Sequence, residues 1–152
     1  MTEEQYITAL KNNPHGIRNI PNPTEGMQLV CVEQNGMLLQ YIKNPTDRVI
    51  ETALAQSPRA IQYVDNPSDE LLISLVKQDW AVLEYIQNPS EEVVRIALDQ
   101  SGWAIRYIIN PSEELQLRAV EKQYDALQYI ANPSEQVQMA AVKSNYLALR
   151  YI

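Results

Sequence analysis

Six Asn-Pro pairs in this chain of 152 residues follow a strict period, in which each pair lies 22 residues after the one before it. The pairs stand at residues 22–23, 44–45, 66–67, 88–89, 110–111 and 132–133. A period held this strictly, without insertions, is typical of one small structural unit stacked many times. The period therefore predicts a repeat architecture before any single residue is considered.

Each repeat carries two sets of apolar residues when its positions are numbered from the Asn as position 1. Positions 6, 10 and 11 form one helical stripe, for example Leu115, Ala119 and Val120, and predict a first helix over about positions 2 to 13. Positions 17, 18 and 21 form a second set, which predicts a helix of about seven residues that the next Asn-Pro must end. Capping residue types at position 14 separate the two helices.

The Asn-Pro pair itself predicts the start of the first helix. Asn is a good N-cap, and the residue before a proline is excluded from the helical region, as an N-cap must be. Proline suits the first helical position, because the N–H that it lacks would be unpaired there. The acidic residue at position 4 would then occupy the third helical position, where it meets the positive end of the helix dipole.

A leading repeat over residues 2–20 brings the total to seven, with no insertion and no linker. The predicted fold class is all-α: an α-solenoid of about seven 22-residue helix-turn-helix repeats, forming a single domain over residues 1–152. Apolar runs are only a few residues long, and the first residues lack the pattern of a secretory signal. A single cysteine, Cys31, excludes an internal disulfide, so we predict a cytoplasmic protein.

The last repeat carries a family resemblance. Residues 135–151 read Glu-Gln-Val-Gln-Met-Ala-Ala-Val-Lys-Ser-Asn-Tyr-Leu-Ala-Leu-Arg-Tyr. They resemble a helical-repeat family of unknown function from bacteria and phages, with the pattern Glu-Val-x-x-x-Ala-Val-x-x-Asn-Gly-x-Ala-Leu-x-Tyr. The recurring Asn-Pro-Ser/Thr tripeptide is also similar to the repeat of the bacterial leucine-rich-repeat variant family. That family is a helical solenoid and can carry a cysteine cluster that binds iron and sulfur. Cys31 alone cannot supply that cluster, so the resemblance implies no cofactor and brings no established activity.

Catalytic residue types are sparse. His15 is the only histidine, which leaves little from which to build a histidine metal site or a Ser-His-Asp triad, and we interpret His15 as an exposed loop residue. Cys31 stands at position 10 of its repeat, which is Ala or Leu in the other repeats, so we interpret it as a small core residue. The four glycines form no phosphate-binding loop. We therefore predict a protein that is not an enzyme and uses no cofactor or metal.

The net charge of −7 weighs against binding to nucleic acid. The acids could instead imitate a nucleic-acid backbone, since many recur at positions 4 and 5 of the repeat. Helix-dipole electrostatics already explains acids in a first turn, so we favour that interpretation. An acidic mimic that inhibits a DNA-binding protein stays an alternative.

A tyrosine occupies position 20 in every repeat but the first. Such a column could be a stacking ladder for bases or peptide side chains. We favour a structural role, in which each ring is buried between repeats and its hydroxyl stays near water. The members are Tyr41, Tyr63, Tyr85, Tyr107, Tyr129 and Tyr151.

Positions 15, 16 and 19 vary between repeats, and they are the columns in which specific contacts can be encoded. Exposed Trp, Tyr and Arg there suit a protein interface. The candidate partner-binding residues are Trp80, Trp103, Arg106, Tyr124, Gln128, Tyr146 and Arg150. We predict a non-enzymatic interaction module that binds another protein. The alternative is a protein that binds or sequesters a small nucleotide-like ligand.

The final repeat bears on assembly. The sequence stops at Tyr151 and Ile152 with no polar capping helix after them. Ends of helical-repeat stacks normally need a polar outer face. We therefore expect either self-association through the last repeat or a longer parent protein.

Overall fold

A computed structural model describes all residues from 1 to 152 and shows an all-α fold with no strands. Seven α-helices of ten residues alternate with seven 3₁₀ helices of six residues. The α-helices are Glu3–Asn12 (α1), Glu25–Gln34 (α2), Asp47–Gln56 (α3), Asp69–Gln78 (α4), Glu91–Gln100 (α5), Glu113–Lys122 (α6) and Glu135–Ser144 (α7). The 3₁₀ helices are Pro14–Asn19 (η1), Gly36–Tyr41 (η2), Pro58–Tyr63 (η3), Trp80–Tyr85 (η4), Gly102–Tyr107 (η5), Tyr124–Tyr129 (η6) and Tyr146–Tyr151 (η7). The predicted all-α solenoid class, with its 22-residue helix-turn-helix repeats, is confirmed.

Two compact units divide the chain, Met1–Pro67 and Ser68–Ile152. In each unit, every α-helix packs on the next α-helix and every 3₁₀ helix packs on the next 3₁₀ helix. The single domain over residues 1–152 stays a prediction. None of the fourteen helices has the length and apolar character that crossing a membrane would require.

The α-helices of the Asn-Pro repeats begin at position 4, and the residue at position 3 caps them. In α2 the hydroxyl of Thr24 accepts a hydrogen bond from the backbone N–H of Met27 at 3.3 Å. Ser112 caps α6 in the same way through the N–H of Leu115. The prediction of Asn as the N-cap and Pro at the first helical position is therefore wrong. The acid at position 4 is therefore the first helical residue rather than the third, and an acid at position 5 is the second.

The asparagines of the six pairs instead adopt a left-handed backbone conformation. Their φ angles lie between 47° and 54°. Asparagine tolerates this region better than most residues, and the following proline disfavours the right-handed helical alternative. Each Asn-Pro pair therefore forms a sharp turn between the end of a 3₁₀ helix and the serine or threonine cap of the next α-helix.

The second helix of each repeat is a 3₁₀ helix of six residues, one residue shorter than predicted. Position 14 does act as its cap in four repeats. In η2, for example, the Asn35 carboxamide oxygen accepts from the N–H of Met37 at 3.0 Å. The other three side chains that cap in this way are Asp79, Ser101 and Asn145.

The core follows the apolar columns. Positions 10 and 17 are buried in all six Asn-Pro repeats and hold alanine in most of them, such as Ala97 and Ala104. Gly36 and Gly102, at position 15, contact the next α-helix so closely that a Cβ atom would overlap the carbonyl oxygens of Ala53 and Ala119 respectively. In η2 and η5, therefore, the glycine at position 15 lets the 3₁₀ helix pack directly against the backbone of the next α-helix.

Candidate functional site

Positions 16 and 19 of each repeat lie on one side of its 3₁₀ helix. A 3₁₀ helix has three residues per turn, so side chains three apart point the same way. In the second unit, Trp103 and Arg106 of η5 are both exposed, and Gln128 of η6 is exposed next to half-buried Asp125. Two sets of contacting residues make up what we call the aromatic–arginine cluster: Trp80, Tyr107, Arg106 and Tyr129 form one, and Trp103, Asp125 and Gln128 form the other.

Arg106 is held against two tyrosine rings. Its guanidinium carbon lies 5.3 Å from the ring centroid of Tyr107 and 5.0 Å from that of Tyr129. Each such cation–π contact at an exposed site stabilises by roughly 0.5–1 kcal/mol. None of the ion pairs in the structure includes Arg106. The guanidinium is thus held in place by aromatic faces while its positive charge has no carboxylate partner within the chain.

Trp103 is fixed by a hydrogen bond to the next repeat. Its indole N–H donates to the Asp125 carboxylate at 2.8 Å, and its backbone N–H donates to the Ser101 hydroxyl at 3.3 Å. The residue remains 38% exposed. Because the indole N–H is already paired, the surface that Trp103 offers to a partner is the apolar part of its ring.

Trp80 extends the cluster onto η4. Its ring centroid lies 6.3 Å from that of Tyr107, with an angle of 34° between the ring planes. This separation is within the range of favourable aromatic pairs. A series of contacts therefore runs from Trp80 through Tyr107 and Arg106 to Tyr129, across three consecutive 3₁₀ helices.

The remaining predicted residues lie on η6 and η7. Tyr124 is half-buried at the start of η6, and the Gln128 amide donates to the Asp125 carbonyl oxygen at 2.9 Å. Tyr146 is 72% exposed, and the guanidinium carbon of Arg150 lies 5.5 Å from the ring centroid of its neighbour Tyr151. Arg150 thus repeats the Arg106 arrangement with one tyrosine instead of two.

Three cluster residues were missed as candidates: Tyr107, Asp125 and Tyr129. The tyrosine column was interpreted as structural, and its rings are in fact half-buried or exposed, with Tyr129 37% exposed. A usable signal was present in the sequence. Arginine occupies position 19 in only two of the six Asn-Pro repeats, and both arginines stand directly before a column tyrosine, as Arg106-Tyr107 and Arg150-Tyr151.

Reactive residues elsewhere have ordinary surroundings. Cys31 is fully buried, which raises the pKa of its thiol to about 11, so the thiolate required of a nucleophile is scarce at neutral pH. Its predicted role as a small core residue is confirmed. His15 is exposed as predicted, although it belongs to η1 rather than to a loop. No group of three His, Cys, Asp or Glu residues is placed to hold a metal ion.

Several acids are paired with arginines. Arg95 bonds Glu91 at 2.6 Å and Glu114 at 2.7 Å, so its single positive charge is shared by two of the acids at positions 4 and 5. Arg118 bonds Asp99 at 2.7 Å, and this hydrogen bond lowers the pKa of the Asp99 carboxyl from its usual value. On α5 and α6, therefore, the acidic surface is interrupted by positive charge.

No protein-family model, curated protein or solved structure matches the chain. The resemblance of the last repeat to helical-repeat families of bacteria and phages therefore stays a prediction.

Proposed function

We propose that the chain is a non-enzymatic helical-repeat module that binds another protein through the aromatic–arginine cluster. The observation that carries the proposal is the fixed arrangement of Trp103 and Arg106, both of which stay exposed. Tryptophan, tyrosine and arginine dominate the binding energy of protein interfaces. Side chains already held in one conformation lose less entropy when a partner binds.

The chemistry of Arg106 narrows the class of partner. A guanidinium offers five N–H donors in a planar fork that matches a carboxylate, and Arg106 has no carboxylate partner within the chain. The neighbouring ring of Trp103 supplies an apolar surface. We therefore propose a partner segment that presents an acidic side chain or a chain terminus next to an apolar or aromatic residue.

Capture from an extract of the source organism tests the proposal. Immobilised wild-type chain should retain a partner, and Trp103→Ala combined with Arg106→Ala should weaken its binding by about tenfold or more. The matched control is Met37→Ala with Gln40→Ala, which changes the same two columns in the first unit. Equal retention by wild type, variant and control would contradict the proposed surface, and circular dichroism should show that all three chains are folded.

A small nucleotide-like ligand is the second candidate, and the same arginine supports it. Arg106 between two tyrosine rings could bind a phosphate while a base stacks on an exposed ring. Thermal-shift screening with nucleotides separates the two candidates, because a ligand at a hundred times its dissociation constant stabilises the fold by about 2.7 kcal/mol. The acidic mimic has less support, because Arg95 places a positive charge between Glu91 and Glu114 on the acidic surface. We place the protein in the cytoplasm, where its free Cys31 thiol would persist.

A further inference from the structure

An open cavity of about 570 Å³ is shared by η1 and η2 in the first unit. It is lined by residues 17–23, which comprise the end of η1 and the turn after it, and by Gln28, Tyr41 and Lys43. Its volume lies within the range of pockets that hold small molecules. We call this cavity the basic pocket, because its charged lining residues are Arg18 and Lys43.

The basic pocket carries positive charge that nothing in the chain neutralises. Arg18 and Lys43 are both exposed, and neither belongs to any ion pair of the structure. No Asp or Glu lines the pocket, although the chain has a net charge of −7. A cleft lined by charges of one sign raises the local concentration of ligands of the opposite sign. The pocket is therefore suited to an anion.

The repeat accounts for the cavity but not for its charge. Largely the same repeat positions line a cavity of about 620 Å³ in the second unit, where Glu84 and Ile109 replace Arg18 and Lys43. These residues stand at position 19 of one repeat and position 22 of the next. The other such pairs are Gln40 with Asp65, Gln62 with Gln87, and Arg106 with Ala131. Because the fold does not require two cations at these positions, the pair in the basic pocket can encode recognition of a ligand.

The turn that lines the basic pocket is held in one conformation. Asn22 has a φ of 54°, and the Gln28 side-chain amide donates to the carbonyl oxygen of Pro23 at 2.8 Å. Val94 stands at the position of Gln28 in the second cavity and cannot make this bond. Asn19 adds a carboxamide to the lining, where every later repeat has tyrosine at position 20. The first pocket is thus more polar as well as more basic than the second.

Two cations match the charge of one phosphate monoester. Such a group carries a charge of about −1.5 to −2 at pH 7 and three acceptor oxygens, whereas a carboxylate carries a single charge. A guanidinium such as that of Arg18 bonds phosphate through two parallel N–H groups, and a lysine such as Lys43 binds it as a point charge. Tyr41 lines the same pocket and is 42% exposed, so its ring can pack against the organic part of a ligand.

We propose that the basic pocket binds a small organic phosphate monoester, with the phosphate on Arg18 and Lys43 and the organic part against Tyr41. All the lining residues belong to the first unit, whereas the aromatic–arginine cluster lies in the second. The proposal therefore does not rest on the proposed binding of a protein partner.

Titration with phenyl phosphate, followed by the backbone amide signals in nuclear magnetic resonance, tests the site. At low ionic strength, where exposed charges are least screened, the signals of Arg18, Asn19 and Lys43 should shift saturably. Those of Glu84 and Ile109, in the second cavity, should not. Benzoate has the ring with one negative charge, and inorganic phosphate has the charge without the ring. Each should bind about tenfold more weakly than phenyl phosphate.

Substitutions separate the cation pair from the overall charge of the chain. Arg18→Gln with Lys43→Gln should weaken phenyl phosphate binding by tenfold or more. The matched control is Arg48→Gln with Lys77→Gln, which removes the same charge from exposed residues outside both cavities and should leave the affinity unchanged. Tyr41→Ala should lower the affinity for phenyl phosphate to that for inorganic phosphate.

Four results would overturn the proposal. Absence of saturable shifts at the basic pocket would exclude the site. Equal weakening by the two double variants would show that only the net charge of the chain matters. Benzoate binding as tightly as phenyl phosphate would exclude recognition of a phosphate, and inorganic phosphate binding as tightly would exclude the contact with Tyr41.

Discussion

At the scale of single residues, two positions of the repeat require a backbone conformation or a close contact that few residue types allow. Asn110 adopts a φ of 50° before Pro111. Gly102 packs against the carbonyl of Ala119, where even a methyl group would overlap. The sequence marks both positions, but it does not distinguish their roles. Asn before Pro is equally compatible with an N-cap and with a left-handed turn, and only the backbone angles decide between them.

The two glycines at position 15 have no room for a side chain, whereas Gly16, which also lies in a 3₁₀ helix, does. Gly36→Ala and Gly102→Ala should each lower the free energy of unfolding by about 1–3 kcal/mol, because the added Cβ forces the next α-helix away. Gly16→Ala is the matched control, since its Cβ would meet only Leu10 at an ordinary 3.5 Å. Urea denaturation measures the free energy of unfolding of all three variants. An equal loss of stability in the three would contradict the close packing at position 15.

At the scale of helices, the sequence predicted the existence, order and approximate length of all the elements. The apolar columns and the strict period carry that information, because each column must face the same neighbour in every repeat. The caps and the 3₁₀ geometry were less predictable. Position 3 is Ser or Thr in every Asn-Pro repeat and is followed by one or two acids, and this pattern was the available sign of a cap two residues later than expected.

A cap substitution distinguishes the two possible helix starts. Ser112→Ala removes the hydroxyl that accepts from the N–H of Leu115, and it should lower the free energy of unfolding by about 1 kcal/mol. Ser74→Ala, at an exposed position inside α4, is the control and should have little effect. If Asn110 were the cap, Ser112→Ala would lower the free energy of unfolding as little as Ser74→Ala does. Thermal or urea unfolding measures both variants.

At the scale of the whole molecule, the repeat makes the fold predictable and leaves the function to the residues that vary. That positions 16 and 19 share one side of each 3₁₀ helix follows from their spacing alone. The contacts of Arg106 with Tyr129 and of Trp103 with Asp125 do not, because each joins neighbouring 3₁₀ helices at a distance that only the packing of the repeats sets. The sequence therefore indicated the correct surface columns but not which side chains meet there.

Tryptophan fluorescence tests the proposed binding surface most directly. The chain contains two tryptophans, Trp80 and Trp103, and both belong to the aromatic–arginine cluster. Titration with a tryptophan-free segment of the captured partner should shift the emission to shorter wavelength, in proportion to binding, as Trp103 loses contact with water. Arg106→Ala should shift the titration to higher partner concentration. Full binding with unchanged emission would show that the partner binds elsewhere.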